Sequence, residues 1–128
     1  MNVVIETRTF SQQATRVWQV EEYEAFVTHI ARFPLAGVVI PGTGGIRKIR
    51  WRAQGAGKRG GVRIIYFNRS QTQETWLLTL YAKNERETIP PHELKEIKEA
   101  IDSEENELRR WQQEYPEENT PSQVLYNE

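Results

Sequence analysis

Hydrophobic residues recur along this chain at spacings that predict different elements in different segments. Val3 to Ile5 opens a β-prone run that predicts a first strand. From Ser11 to Phe33, apolar residues return every three or four positions, which is the spacing of a helical stripe that faces a core. The members of this stripe are Val17, Val20, Tyr23, Phe26, Val27 and Ile30. The segment therefore predicts one long amphipathic helix or two short ones, and Pro34 ends it.

Two segments in the middle of the chain predict a β-hairpin. In Ile46 to Ala53, Ile49 and Trp51 share one side of a strand, and Lys48, Arg50 and Arg52 share the other. Val62 to Asn68 is strongly β-prone and follows a glycine-rich stretch, Gln54 to Gly61. We expect the two strands to pair, with the glycine-rich stretch as a long hairpin tip.

A further strand is predicted from Glu74 to Lys83. Strict alternation places Leu77, Thr79, Tyr81 and Lys83 on one face, opposite Trp76, Leu78, Leu80 and Ala82. On this pattern the aromatic ring of Tyr81 and the ammonium of Lys83 lie on the same side of the sheet.

A last helix is predicted after the proline pair at positions 90 and 91, since proline is tolerated in the first turn of a helix. The helix spans Glu93 to Trp111, and we expect it to pack against the sheet edge or the amino-terminal helices. Its apolar stripe is Leu94, Ile97, Ile101, Leu108 and Trp111. Gln112 to Glu128 is polar with two prolines, which predicts a loose tail or a segment ordered by a partner.

Composition narrows the functional classes. The 128 residues are enough for one ordinary domain with a modest core. There are no cysteines and two histidines, so disulfides and thiolate metal sites are excluded and a transition-metal site is not expected. The sequence has no apolar run long enough for a bilayer and no visible secretion signal. We therefore expect a cytoplasmic protein without a membrane partner.

Charge is segregated along the chain, although the net charge is only -1. From Arg47 to Arg69 there are eight lysines and arginines and no acidic residue, whereas Glu85 to the end holds thirteen Asp and Glu against five Lys and Arg. A solvated strand normally mixes both signs, so this pattern favours a surface that meets phosphates over an ordinary polar face. On the predicted strands, the side chains that converge on one face are Lys48, Arg50, Arg63, Tyr81 and Lys83.

The glycines of the chain do not form a nucleotide-binding motif. The run Gly42 to Gly45 lacks the third glycine of a dinucleotide fingerprint, and Gly57 and Lys58 are followed by Arg59 where a P-loop has Ser or Thr. A flexible hairpin tip is the favoured interpretation of the second glycine group, and its Lys58 and Arg59 remain candidates for contact with a nucleic-acid backbone.

Three blocks of sequence together resemble the HigB branch of the RelE/ParE superfamily of bacterial toxins. The blocks are GTGGIRKIR at 42–50, GKRGGVRIIY at 57–66 and LTLYAKNE at 78–85. Their order and spacing both match, and the similarity covers about Val3 to Trp111. We therefore take 1–111 as a toxin domain and 112–128 as a tail that inherits nothing from the family.

The resemblance implies a compact α+β fold with amino-terminal helices on an antiparallel sheet and a carboxy-terminal helix. It also implies the toxin of a type II toxin-antitoxin system, a ribosome-dependent messenger RNA endonuclease that a HigA-like antitoxin neutralises. Such an enzyme needs neither metal nor cofactor, because the 2′-hydroxyl of the RNA attacks the adjacent phosphate. The superfamily also contains ParE-type gyrase inhibitors of the same fold, and a plain RNA-binding domain is a third alternative.

The resemblance assigns candidate roles residue by residue. Lys48 and Arg50 match basic strand positions of the family and Arg63 matches an arginine on the neighbouring strand, so these three are expected to contact the phosphate. Proton transfer is expected from Tyr81 or Glu85, with Lys83 as a further cation. Some relatives have an arginine where Asn84 stands, or a histidine or late tyrosine in the site, so the acid and the base stay open. The remaining RNA-binding candidates are Arg47, Arg52, Lys58 and Arg59.

Overall fold

The computed structural model describes residues 2–53, 61–82 and 89–114, with side chains as far as Glu104. Lys58, Arg59, Lys83 and Glu85 lie outside the described residues, as does the segment from 115 to 128. Within them the elements run in the order β1 (Val3–Glu6), α1 (Arg8–Val17), α2 (Val20–Arg32), β2 (Val38–Val39), β3 (Arg47–Trp51), β4 (Val62–Arg69), β5 (Glu74–Ala82) and α3 (Pro91–Glu114). The α+β fold class is confirmed.

The described strands form one mixed sheet in the order β1-β5-β4-β3-β2. The central pairs are antiparallel, but β1 runs parallel to β5, so the expectation of a wholly antiparallel sheet is wrong at this edge. A tight hairpin forces antiparallel pairing, whereas β1 and β5 are connected through the helices and the other strands, which leaves their relative direction free.

The sheet has a buried core on each face. One, which we call the α1/α2 core, lies beneath the amino-terminal helices and consists of Phe10, Ala14, Trp18, Phe26, Ile30, Ala53, Val62, Ile64, Tyr66, Leu77 and Leu80. The other, which we call the α3 core, consists of Ile5, Ile46, Ile65, Phe67, Trp76, Leu78, Tyr81 and Leu94. Helices therefore cover opposite faces, and a residue's core membership identifies the face that it occupies.

The first helical region is two helices, because the chain breaks at Trp18 and Gln19. The backbone N–H of Gln19 donates to the Glu22 carboxylate at 2.9 Å, which starts α2. Trp18 stays buried at the break, and its indole Nε1 donates to the carbonyl of Arg52 at 2.8 Å. The break thus ties the helix pair to the end of β3.

Helix α1 also closes the edge of β5 where β1 has ended. The Thr7 hydroxyl donates to the carbonyl of Leu78 at 2.7 Å and accepts the N–H of Phe10, which caps α1. The Gln13 side chain accepts the backbone N–H of Leu80 at 2.8 Å. Side chains of the helix therefore satisfy backbone groups that an open edge would leave unpaired.

Helix α3 packs on the sheet face opposite the amino-terminal helices, so the expected packing against the sheet edge or those helices is wrong. Leu94 is buried in the α3 core and Ile101 packs beside it, whereas Ile97 is 39% exposed. Asp102 of α3 forms an ion pair with Arg69, which anchors the helix at the end of β4, and a second ion pair with Lys98 one turn earlier in the same helix. Among the described helices, none is long and apolar enough to span a bilayer.

Candidate active site

Three of the predicted site residues form one row across the central strands. Arg50 of β3 is the direct cross-strand partner of Arg63 in β4, and Arg63 is the direct partner of Tyr81 in β5. Opposite residues in an antiparallel pair have Cβ atoms about 4.5–5.5 Å apart and point to the same face. The sheet therefore sets two guanidinium groups and a phenol side by side.

A β-bulge brings Tyr81 to this face. Leu77 belongs to the α1/α2 core and Tyr81, four residues later, belongs to the α3 core, whereas regular alternation would put both on one face. The ladder shows the cause, since Ile65 pairs with Thr79 while Tyr66 pairs with Leu77, which leaves Leu78 as the extra residue. The alternation predicted for this strand fails at Leu78, and that failure aligns Tyr81 with Arg63.

Lys48 extends the row into a cationic surface. It lies two residues before Arg50 on β3, so the two side chains share a face at about 7 Å spacing along the strand. Lys48 and Arg50 are exposed and Arg63 is half-buried. All three line an open groove of about 260 Å³ together with Ala36, Gly37, Val38 and Ile49.

The opposite wall of this groove is the backbone segment from Leu35 to Val38, which enters β2. It carries no charge, and Val38 is 66% exposed. Gly37 lets this segment approach the sheet, since an added Cβ would lie 2.7 Å from the carbonyl oxygen of Lys48 and 2.8 Å from the Tyr66 ring. Cations thus face a wall of small and apolar residues.

Two side chains of the sheet form hydrogen bonds to the backbone of this segment. The Tyr66 hydroxyl accepts the backbone N–H of Gly37 at 2.8 Å. An Arg47 guanidinium nitrogen donates to the carbonyl of Gly37 at 2.7 Å and to that of Leu35 at 3.3 Å. Burial raises the pKa of Tyr66, although the Gly37 N–H and the Arg47 charge both act to lower it, so the phenol stays protonated at neutral pH.

Two of the other predicted RNA-binding residues, Arg47 and Arg52, do not line the groove. Arg47 lies on β3 on the sheet face opposite Lys48 and Arg50, and its guanidinium donates to the backbone carbonyls of Leu35 and Gly37. Arg52 is exposed just after the end of β3. Whether either side chain contacts RNA stays a prediction.

Sequence reasoning missed the second wall of the groove. Strand β2 is short, but the β-branched run Val38 to Ile40 before Pro41 was a signal for it. Gly37 and Tyr66 gave no signal, because a lone glycine and a core-facing tyrosine have ordinary structural explanations.

The geometry suits the binding of a phosphodiester. Three cations line one side of one open volume, and the chain from residue 47 to residue 69, which supplies them, holds no carboxylate. Arginine presents planar pairs of donors that match phosphate oxygens, and lysine adds a point charge. Tyr81 supplies a hydroxyl at one end of the row.

Comparison with known proteins gives one family match. A family model described as the RelE toxin of the RelE/RelB toxin-antitoxin system matches residues 37–113. The matched span is more than half of the chain, and it begins at the glycine of the groove wall and includes β2 to β5 and most of α3.

Proposed function

Because the chain belongs to the RelE toxin family, we propose that it is a HigB-type toxin that cleaves messenger RNA on the ribosome and that a HigA-like antitoxin neutralises it. The observation that carries the proposal is the row of Arg50, Arg63 and Tyr81 beside Lys48, whose three cations line an open groove. Cations on one side of an open volume suit the negative oxygens of a phosphodiester, and this favours RNA as the target.

In the proposed reaction the 2′-hydroxyl oxygen of the RNA attacks the adjacent phosphorus atom. The bond from phosphorus to the 5′-oxygen of the next nucleotide breaks, which leaves a 2′,3′-cyclic phosphate and a free 5′-hydroxyl. The 2′-hydroxyl loses its proton to a base, and the departing 5′-oxygen gains a proton from an acid. The reaction uses no oxidant, reductant or second substrate.

Arg50, Arg63 and Lys48 act on the charge that develops in this step. The phosphate passes from one negative charge to nearly two, and fixed donors aimed at its oxygens stabilise the transition state more than the ground state. Arg63 has the central position, since it has Arg50 on one side and Tyr81 on the other. Its half-buried state also shields its charge from water more than that of its exposed neighbours.

Tyr81 and Glu85 are the proposed proton carriers, and Lys83 is a further cation for the same phosphate. Tyr81 is buried at one end of the row, next to Arg63. Lys83 and Glu85 follow β5 in the sequence, beyond the described residues of that strand. Their assignment rests on the sequence blocks that resemble the HigB branch.

The test is to express the toxin briefly and to map the ends of cellular transcripts by primer extension. New ends at fixed positions within codons support ribosome-dependent cleavage. The chemistry is tested in a reconstituted translation complex, where a single 2′-deoxy substitution at the mapped site must abolish cleavage at that site. Intact transcripts together with double-strand DNA breaks would contradict the proposal and favour a gyrase inhibitor.

A further inference from the structure

We infer that Tyr66 and Arg47 are positioning residues that hold the segment from Leu35 to Val38 in place as one wall of the RNA groove. The inference rests on the proposed function, because it concerns the groove in which the phosphate is bound. It gives a role to two side chains that reach the groove wall from below and do not themselves line the groove. Neither is proposed to touch the reacting atoms.

The contacts bond both backbone polar groups of one residue, Gly37. Tyr66 accepts the N–H of Gly37 and Arg47 donates to its carbonyl, so the polar groups on both sides of this residue are bonded to side chains of the sheet. Arg47 and Tyr66 are themselves direct cross-strand partners in β3 and β4. The two anchors therefore move as one unit with the strands that carry Arg50 and Arg63.

Tyr66 and Arg47 restrict the backbone position of the segment from Leu35 to Val38. Tyr66 is fully buried, and its ring lies within the α1/α2 core. The site of a Cβ on Gly37 is already filled by the Tyr66 ring and the carbonyl of Lys48. Close packing of this kind fixes a backbone position much more narrowly than a surface loop is usually fixed.

The position of the wall matters because the two sides of the groove differ in chemistry. Lys48, Arg50 and Arg63 hold the phosphate from one side, and the small apolar surface of Ala36 and Val38 lies on the other. A ribose attached to that phosphate has to pass along the apolar wall. The wall therefore sets the angle between the 2′-oxygen and the phosphorus atom, and a displacement of about 1 Å can cost a hundredfold in rate.

The primary test is Tyr66→Phe, with Tyr23→Phe as the matched control. Both substitutions remove a hydroxyl that makes a hydrogen bond in a partly or fully buried site, but Tyr23 bonds to Glu6 at the end of β1, and neither of these two residues lines the groove. We expect Tyr66→Phe to lower kcat for ribosome-bound messenger RNA at least tenfold while KM changes less than about twofold. Tyr23→Phe should keep both constants, although it loses a similar bond.

Arg47 is tested by conservative rescue. Arg47→Gln removes the charge and shortens the reach to the carbonyls of Leu35 and Gly37, whereas Arg47→Lys keeps one cationic donor for Gly37. We expect kcat to fall in the order wild type, Arg47→Lys, Arg47→Gln. A rise in KM with kcat unchanged would show that Arg47 acts through RNA affinity, and an equal fall of kcat in both variants would show that a cationic donor to Gly37 is not what holds the wall. Either result would overturn its positioning role.

A probe that cannot be cut separates this inference from the proposed reaction. A single-stranded 2′-O-methyl RNA oligonucleotide lacks the attacking hydroxyl. Its binding is followed by the NMR chemical shifts of the backbone amides of Gly37 and Val38. If the wild type binds the probe but cuts no messenger RNA, the proposed function fails, and the inference stands if Tyr66→Phe alters those bound shifts while Tyr23→Phe does not. If Tyr66→Phe matches the wild type in the shifts and in kcat, the inference is overturned.

Discussion

Arg63 of β4 and Tyr81 of β5 face each other across the centre of the sheet as direct partners. Their alignment depends on the extra residue Leu78, which shifts the register of β5 by one position between Tyr66 and Ile65. Bulges re-aim side chains, and here the re-aimed side chain is the only predicted proton carrier among the described residues. The bulge is therefore part of the site as much as the cations are.

Arg63→Ala is expected to abolish toxicity and to lower cleavage by about 10²–10³, which is the usual effect of removing one fixed donor from a transition state. The fold should survive, since Arg63 is half-buried and belongs to neither core. The measurements are growth after induction and kcat in a reconstituted translation complex.

The control for Arg63→Ala is Arg16→Ala, which removes an exposed arginine from α1. It matches the change in net charge and leaves the groove intact, so it should retain full toxicity. Growth arrest at the wild-type level by soluble Arg63→Ala protein would contradict the proposed site.

Lys48→Ala and Arg50→Ala are each expected to lower cleavage, and the double variant is expected to lose less than the product of the two single effects. The two side chains line the same groove and act on the same phosphate, so removal of one weakens the geometry that the other needs. The measurement is a double-mutant cycle in kcat/KM. Fully multiplicative losses would show that the two cations act at independent places.

The faces of β3 could be predicted from the sequence, because alternation is regular there. Ile49 and Trp51 pack against the α1/α2 core, and Lys48 and Arg50 point away from it, as predicted. The pairing of this strand with β4 also followed from the pattern, since two β-prone runs that share a glycine-rich connection favour a hairpin. Regular alternation was therefore enough to predict the face on which Lys48 and Arg50 of the candidate site lie.

The position of Tyr81 could not be derived correctly from the same rule. Alternation in Glu74 to Lys83 put it with Leu77, and Leu77 lies in the opposite core. The sequence prediction nevertheless grouped Tyr81 with Arg63. It took the whole Leu77 to Lys83 face of the strand to lie on the Arg63 side of the sheet, and it did not expect a bulge. A single inserted residue has no distinct composition, so periodicity alone cannot locate it.

The other differences between the sequence predictions and the structure come from tertiary contacts, which local sequence patterns do not encode. An acidic helix with one apolar stripe can pack on either face or at an edge of a sheet, so the sequence did not specify the face that α3 covers. The tight contact of Gly37 with Tyr66 joins residues far apart in the chain. Neither of the two has a local pattern that points to the other, and the groove wall was missed for this reason.

Binding of single-stranded RNA is expected to weaken as salt rises, because each cation that neutralises a phosphate releases bound counterions. Each phosphate contact on a single strand contributes roughly −0.7 to the slope of the logarithm of the binding constant against the logarithm of salt concentration. The three groove cations should therefore give a slope of about −2 or steeper. Arg50→Ala should make the slope shallower by about 0.7. The measurement is a titration with the 2′-O-methyl oligonucleotide at several salt concentrations, and an unchanged affinity across them would argue for binding without phosphate contacts.

Gly37→Ala is expected to destabilise the fold by about 1–3 kcal/mol, because the added Cβ overlaps the Lys48 carbonyl and the Tyr66 ring. The measurement is the urea midpoint at constant slope. Ala36→Gly is the control, since it loosens the same segment without adding an atom and should cost only about 0.4–1 kcal/mol. A smaller loss in Gly37→Ala than in the control would show that the wall relaxes easily.

Stability is expected to fall at alkaline pH through Tyr23, whose hydroxyl donates to the Glu6 carboxylate. Burial raises the pKa of Tyr23, and the hydrogen bond to Glu6 and its negative charge raise it further. The unfolded chain releases this proton at about pH 10 while the folded chain retains it, so the unfolded state binds fewer protons and the free energy of unfolding decreases as pH rises above that point.

The measurement is urea unfolding at pH 8 and at a pH above about 10. Tyr23→Phe should be less stable than the wild type at pH 8 and should lose less on the alkaline step, with the remaining loss due in part to Tyr66, whose pKa is also raised. An equal alkaline loss in both proteins would show that Tyr23 titrates in the folded state much as it does in the unfolded chain.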